Sequence, residues 1–298
     1  MIDDPKYALA GLADYSTGTF TGKSGVPIFF RRWLPKQPPA GQPMRGTVVI
    51  VHGLGEHGGR YLNLVRPLLA EGYACYAQDH QGFGRSGGKP GHVNRFSDYL
   101  LDLKRTVEMA RREGGALPLT LYGHSMGGLI AVRYLQVYGP TVDLAIIGSP
   151  ALGVPGGRVG RGMTALLQVM SKAYPSFTID NRGSEPVSRD PEIIAEFDHD
   201  PLGNRLITAR WATEMMTAQA QWAKNMHTIT MPILVMQGMQ DRLVLPSLTQ
   251  QFFRQIPAAD KTIYLYPEHF HELHNDLDRD KPLGDLAAWL NQRTGQAA

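Results

Sequence analysis

The chain has 298 residues, 43% of them hydrophobic, with a formal charge of +3. That is ample apolar material for a large core, and a near-neutral chain without a Lys/Arg block argues against a nucleic-acid partner. No apolar run reaches membrane-spanning length, the acidic start MIDDPKYALAG lacks the pattern of a secretory signal, and a single cysteine excludes an internal disulfide. A reduced, cytoplasmic setting is the expectation.

In chain order, residues 17–33 read as a hairpin, two β-type runs around Gly-Lys-Ser-Gly. A proline-rich loop covers 36–44. Buried strand TVVIVHG (47–53) is followed by an amphipathic helix at 61–71 and a strand at 73–78. Cys75 lies in that strand, in YACYAQD, and reads as core rather than nucleophile. A glycine-rich loop spans 79–91, and Ser97 is expected to cap a helix running to Arg112. Strand 117–122, helix 126–137 and strand 144–148 follow. The alternation resumes with MPILVMQG (231–238), a helix at 246–255, a strand at 262–266 and a helix at 283–291. Apolar strands alternating with helices predict an α/β fold with a mostly parallel sheet covered on both faces.

Residues 151–226 break the pattern and are far too long for a structureless loop, where about 12–15 residues is already uncommon. Helical patterns at 163–172, 191–198 and 206–222 make this a mostly helical cap insertion in a core formed by 1–150 and 227–298. Its apolar residues, including Met163, Leu166, Met170, Met215, Met216 and Trp222, are expected mainly to pack the cap onto the body. Some are candidates for an acyl channel, because methionine adapts to irregular ligands.

The chemistry centres on GHSMGG. Gly-x-Ser-x-Gly between a strand and a helix places Ser125 at the tip of a turn too tight for side chains on Gly123 and Gly127. A serine hydroxyl needs a base, and the base an orienting acid. In this architecture the chain order is Ser, acid, His. Asp241, three residues past Gly238 in QGMQDRLV, suits the acid. Asp143 begins a strand instead of ending one, and Asp180 lies in the insertion. For the base, YPEHFHELH offers His269, His271 and His274, and position alone leaves all three open. Their spacing is not the His-Glu-x-x-His of a zincin, so no metal is expected. The amides of Met126, at a helix start, and Leu54, in the turn HGLG, are candidates for the oxyanion hole.

GLGEHG (53–58) with Asp79 21 residues after Gly58 also satisfies the dinucleotide-binding fingerprint. Against a nucleotide-dependent oxidoreductase, Glu56 would place a carboxylate in the phosphate cradle. That reading also leaves GHSMGG and the late histidines unused.

HGLGEHGGRY, DHQGFGRSGG, GHSMGG, DPL, QGMQDRLV and HFHELH stand in the order seen in monoacylglycerol lipases and related lysophospholipase-like α/β-hydrolases, and the chain resembles that family from about Thr47 to Trp289. The resemblance implies hydrolysis of a monoacylglycerol or similar single-chain lipid ester without a cofactor. It selects His271, the first histidine of HELH, as the base. It places His274, Glu56 and Arg60 near a polar head-group pocket, with a structural ion pair the stronger expectation for Arg60. Phe197 stands where some members carry a cap tyrosine, and a phenyl ring cannot donate a hydrogen bond to the leaving alcohol. A lysophospholipase or general carboxylesterase would share these catalytic residues. A proline-iminopeptidase-like enzyme would need an amine anchor that the sequence does not reveal, and a non-catalytic receptor would have no use for the intact Ser/Asp/His order. Transient contact of the cap with a lipid surface belongs to the same expectation.

Overall fold

The structure, a computed structural model, describes residues 5–36, 44–153, 161–180 and 185–295. The proline-rich loop expected over 36–44 and the side chain of Met163 fall almost wholly outside the described residues. β1 (Ala13–Thr21) and β2 (Pro27–Pro35) form the expected hairpin, closed by a bond from Gly22 N to Val26 O of 2.7 Å. There follow β3 (Gly46–Val51), α1 (Leu62–Ala70), β4 (Tyr73–Gln78), α2 (Phe96–Gly114), β5 (Leu119–His124), α3 (Met126–Tyr138) and β6 (Leu144–Gly148). Next come α4 (Arg161–Ala173), β7 (Thr178–Asp180), α5 (Pro191–His199), β8 (Leu206–Thr208) and α6 (Ala209–Gln219). β9 (Ile233–Gly238), α7 (Pro246–Gln255), β10 (Lys261–Tyr266) and α8 (Asp280–Thr294) complete the order.

The main sheet runs β1-β2-β4-β3-β5-β6-β9-β10, antiparallel across β1, β2 and β4 and parallel from β4 onward. Every residue of β3, β4, β5, β6 and β9 is buried, because helices cover both faces. Side-chain alternation along β3 sends Val49 and Val51 into one core with α2 and α3, and Val48 and Ile50 into the other with α1 and α8. Cys75 packs in that second core, and burial pushes its thiol up, as suits a structural cysteine. From β3 the chain goes to β4 on one side, then to β5 on the other. The carboxyl ends of β3 and β5 therefore border the switch point, where α/β sheets place their ligands.

Two local expectations are corrected. Ser97 does not cap α2, which starts at Phe96 after Arg95. Arginine offers no acceptor, and carboxylates serve instead: Arg95 N–H donates to Asp98 at 3.3 Å and Phe96 N–H to Glu214 of α6 at 2.9 Å. The single helix expected over 206–222 is split. Leu206–Thr208 pair with β7 as a strand, and the Thr208 hydroxyl then caps α6 by accepting from Trp211 N at 3.2 Å.

Candidate active site

Ser125 links β5 to α3 at φ 55°, a conformation that side chains seldom adopt. Such strain costs on the order of 1–3 kcal/mol and persists only where neighbours enforce it. Here they do: Ser125 N donates to Gly148 O at 3.1 Å, and its carbonyl accepts from Leu129 N at 3.1 Å and Ala151 N at 2.9 Å. A Cβ on Gly123 would meet Gly127 O at 2.6 Å and Ala131 Cβ at 2.7 Å, and one on Gly127 would press into the Val51 and His52 carbonyls. Both glycines are steric requirements of this turn.

Asp241 and His271 come together from the loops after β9 and β10. Asp241 Oδ2 lies 2.7 Å from His271 Nδ1 and accepts from Gln237 Nε2 at 3.1 Å, while Oδ1 accepts the Leu243 and Val244 amides at 2.8 and 3.0 Å. Gln237 is itself fixed by Thr249 Oγ1 at 2.7 Å. Burial raises the Asp241 carboxyl, but His271 and the two amides outweigh it and hold the group below its ordinary value. Burial lowers the His271 imidazole, and Asp241 reverses that, leaving it raised. Protonated His271 therefore stabilises the fold below the ordinary imidazole value of about 6.5 and loses that contribution as pH rises through the raised value. Service as a general base would make the opposite demand, a neutral imidazole. The acid limb of kcat/KM is expected to have its midpoint above about 6.5. Asp241→Asn should move that midpoint down, as a pH profile with a nitrophenyl ester would show.

The other two histidines have other surroundings. His269 packs on Tyr266, with ring centroids 5.3 Å apart. His274 stacks on Tyr61 at 4.7 Å, is pushed down to about 4 by burial, and does not line the large cavity described below. Asp143 is held by Arg111 and the Leu119 amide at the opposite end of the sheet, and Asp180 lies in β7.

A Cβ on Gly53 would fall 3.2 Å from Ser125 Cβ, so the turn carrying Leu54 passes directly beside Ser125. Among the described residues, neither the Leu54 nor the Met126 amide donates to a protein acceptor. Glu56 folds back beneath this turn: its Oε1 accepts Gly53 N at 2.5 Å and Tyr61 OH at 2.6 Å, and its Oε2 accepts Arg60 Nε at 3.3 Å. Arg60 also donates to Glu272 at 3.1 Å and lies 4.8 Å from the Phe197 ring, with Arg205 5.1 Å from that ring. Arg60 is thus a buried ion-pair link, off the cavity wall. Burial and the neighbouring Glu272 raise Glu56, whereas Arg60, His274 and Asn275 overcome burial to lower Glu272. The nucleotide fingerprint finds no support, since Glu56 occupies the Gly53 amide. Asp79 is consumed by Arg31 at 2.7 Å and by the Gly58 and Arg85 amides, each at 2.9 Å.

A cavity of about 570 Å³ opens above the sheet edge. Ser125, His271, Leu54, Met126, Glu56 and Glu272 form its floor side, and Ile194, Phe197, Trp211, Met215 and Met216 come from the segment between β6 and β9. Sequence reasoning missed Tyr61, Gln237 and Glu272 as supports. All three stood inside quoted motifs, Tyr61 as the last letter of HGLGEHGGRY, Gln237 as the first of QGMQDRLV and Glu272 within HFHELH, but nothing local marked them as supports.

A mostly parallel sheet with a nucleophile turn after β5 and an Asp–His pair after β9 and β10 makes this an α/β-hydrolase, and the chemical class is that of the serine hydrolases. The family described as serine aminopeptidase, S33, matches residues 42–278, and the chain belongs to that family. It is similar to the monoacylglycerol lipase of Mycolicibacterium smegmatis (31% identity, covering 92% of this chain and 96% of the relative) and to the monoglyceride lipase of Homo sapiens (27%, covering 92% and 89%). The crystal structure of Paleococcus ferrophilus monoacylglycerol lipase superposes with a TM-score of 0.77 at 27% identity, covering 94% of this chain and 99% of that one.

Proposed function

We propose that this serine hydrolase cleaves carboxylic esters of single-chain lipids, monoacylglycerol foremost, with Ser125, Asp241 and His271 as its triad. The observation that carries the reading is the 570 Å³ cavity, whose wall holds Ser125 and His271 and is otherwise largely apolar; ligand sites of this kind typically measure about 300–1,000 Å³. Ser125 Oγ attacks the ester carbonyl while His271 takes its proton. The Leu54 and Met126 amides receive the oxyanion, and His271 returns the proton to the leaving glycerol. Water, activated by His271, then releases the fatty acid. Residues 151–226 serve as the cap over a core of 1–150 and 227–298, and Glu56 and Phe197 border the head group.

An aminopeptidase reading would need a carboxylate cluster for a free amine. Glu56 and Glu272 are suitably placed, but the Arg60 guanidinium already lies between them. The cap also exposes Leu166, Val169, Tyr174, Phe177 and Leu206, 42–71% accessible, on α4 and around β7 and β8. Exposed apolar side chains on one segment suit transient docking on lipid, and Val169→Asp with Phe177→Asp should weaken sedimentation with phosphatidylcholine vesicles while sparing short-ester turnover. Among the described residues no helix is long and apolar enough to cross a membrane.

The test is a fluorophosphonate probe with peptide mapping, followed by comparison of monoacylglycerols, lysophosphatidylcholine, nitrophenyl esters and proline nitroanilide. Label on Ser125 and a kcat/KM for monoacylglycerol at least tenfold above the others are expected. A preference for lysophosphatidylcholine would move the substrate class, and an unlabelled, folded protein would end the enzymatic reading.

A further inference from the structure

The loops that carry the oxyanion amide and the base hang from strands β3 and β10, separated in the sheet by β5, β6 and β9. At about 4.8 Å per strand, ladder hydrogen bonding alone does not fix the spacing of such distant overhangs. Two links join the loops directly, the Arg60–Glu272 ion pair at 3.1 Å and the Tyr61–His274 stack at 4.7 Å, and a further connection runs through the cap. Just before α5, Val187 O accepts Glu272 N at 2.8 Å, one residue from His271. Ser188 Oγ donates to Asn275 O at 3.0 Å and to Asp276 Oδ1 at 3.2 Å. Arg189 grips the same carboxylate through its amide at 2.7 Å and its Nε at 3.1 Å. Asp276 is completely buried, and its Oδ2 also takes the Phe270 amide at 2.7 Å, the residue immediately before His271. One carboxylate thereby ties the cap to the backbone of the base.

Just after α5, the pattern recurs on the other loop. Asp200 Oδ2 lies 3.0 Å from His57 Nε2. His57 Nδ1 accepts Gly59 N at 3.1 Å, so Nε2 carries the proton and donates to Asp200. Asn204 N donates to Gly55 O at 3.0 Å, and a Cβ on Gly55 would come within 3.3 Å of Asn204 O. Both contacts fall within three residues of Leu54. Between the two grips in the chain, the Phe197 ring of α5 lies 4.8 Å from the Arg60 guanidinium.

We propose that α5 and its flanks, 187–190 and 200–204, form a brace holding the histidine loop and the oxyanion loop at a fixed spacing. In it Asp276 is a positioning residue for His271 and Asp200 a positioning residue for the Leu54 amide. The proposal rests on the triad assignment above. Neither aspartate lines the cavity, so neither acts on substrate directly. Each acts through a catalytic group, where a displacement of about 1 Å is enough to cost 10²-fold in rate.

The experiment measures kcat per fluorophosphonate-titrated site, so that misfolded protein drops out of the count. Asp200→Ala is expected to lower kcat about 10- to 100-fold, with KM for a short nitrophenyl ester within threefold of wild type, and to weaken an alkyl boronate by a factor similar to the kcat loss. Asp200→Asn, which keeps an acceptor for His57, should restore most of both. Asp276→Ala should lower kcat comparably and shift the acid limb of kcat/KM, because the imidazole no longer faces Asp241 squarely. Arg189→Met removes the cap's charged grip without touching the Phe270 amide bond, and stands in if Asp276→Ala does not fold. It should lower kcat several-fold. Unchanged kcat per titrated site and an unmoved acid limb in these variants would overturn the brace, as would a change confined to KM. Failure of the triad reading looks different: the probe would then map to a serine other than Ser125.

Discussion

Replacing Ser125 by alanine is expected to lower kcat by about 10⁴–10⁶ and to abolish fluorophosphonate labelling, with His271→Ala nearly as severe and the double variant no worse than either. The non-additivity follows from the arrangement. Ser125 is a weak nucleophile without a base, and His271 has no proton to accept without Ser125. Asp241→Asn should fall about 10⁴-fold, because an amide in place of Oδ2 would offer His271 Nδ1 a donor and select the wrong tautomer. The Leu243 and Val244 amides, which donate to Oδ1 at 2.8 and 3.0 Å, would hold the oxygen of the substituted side chain in the same place, so the loss would report tautomer and charge rather than position. Steady-state hydrolysis of a nitrophenyl ester, normalised to folded protein, checks all four variants. Near-normal turnover in Asp241→Asn would remove Asp241 from the triad, and retained activity in His271→Ala with loss in His269→Ala would move the base two residues back.

The nucleophile turn was legible in the sequence because it is a local object. Gly123, Ser125 and Gly127 lie in five consecutive residues, and the clashes that exclude side chains arise within or beside that turn. The strands were legible for a related reason: β3, β4, β5, β6 and β9 are buried on both faces, which writes itself as short continuous apolar runs. What escaped was set by partners far away in the chain. Leu206–Thr208 looked helical because the residues after them are, and only pairing with β7 makes them a strand. Ser97 looked like a cap by residue type, but Glu214, more than a hundred positions away, meets the Phe96 amide at the helix start. Asp276 and Asp200 have the same character. Each is an ordinary loop aspartate in the sequence, and its role depends on contacts 87 and 143 residues distant. His271 is intermediate. Three candidate histidines fit the loop after β10, and the 2.7 Å contact to Asp241 sets one of them apart.

A second large effect is expected from one methyl group. Gly127→Ala adds a Cβ that would drive into the carbonyls of Val51 and His52 at the end of β3, both of them backbone and unable to rotate away. Relief requires α3 to lift from β3, which would open the distance between Ser125 and the turn of Gly53 and Leu54. Overpacking a core typically costs about 1–3 kcal/mol, and a backbone-to-backbone collision should sit at or above the top of that range. Chemical denaturation should therefore show a loss of about 3 kcal/mol or more, and the protein that remains folded should be slowed about 10²-fold by displacement of the nucleophile. Gly284→Ala is the matched control. It lies on the exposed side of α8, where an added Cβ meets nothing within 4 Å. Replacing a helical glycine there should stabilise by up to about 1 kcal/mol and leave kcat unchanged. If both variants moved stability in the same direction, the close approach of α3 to β3 would not be what requires glycine at position 127, and the turn would owe its geometry to the backbone of Ser125 alone.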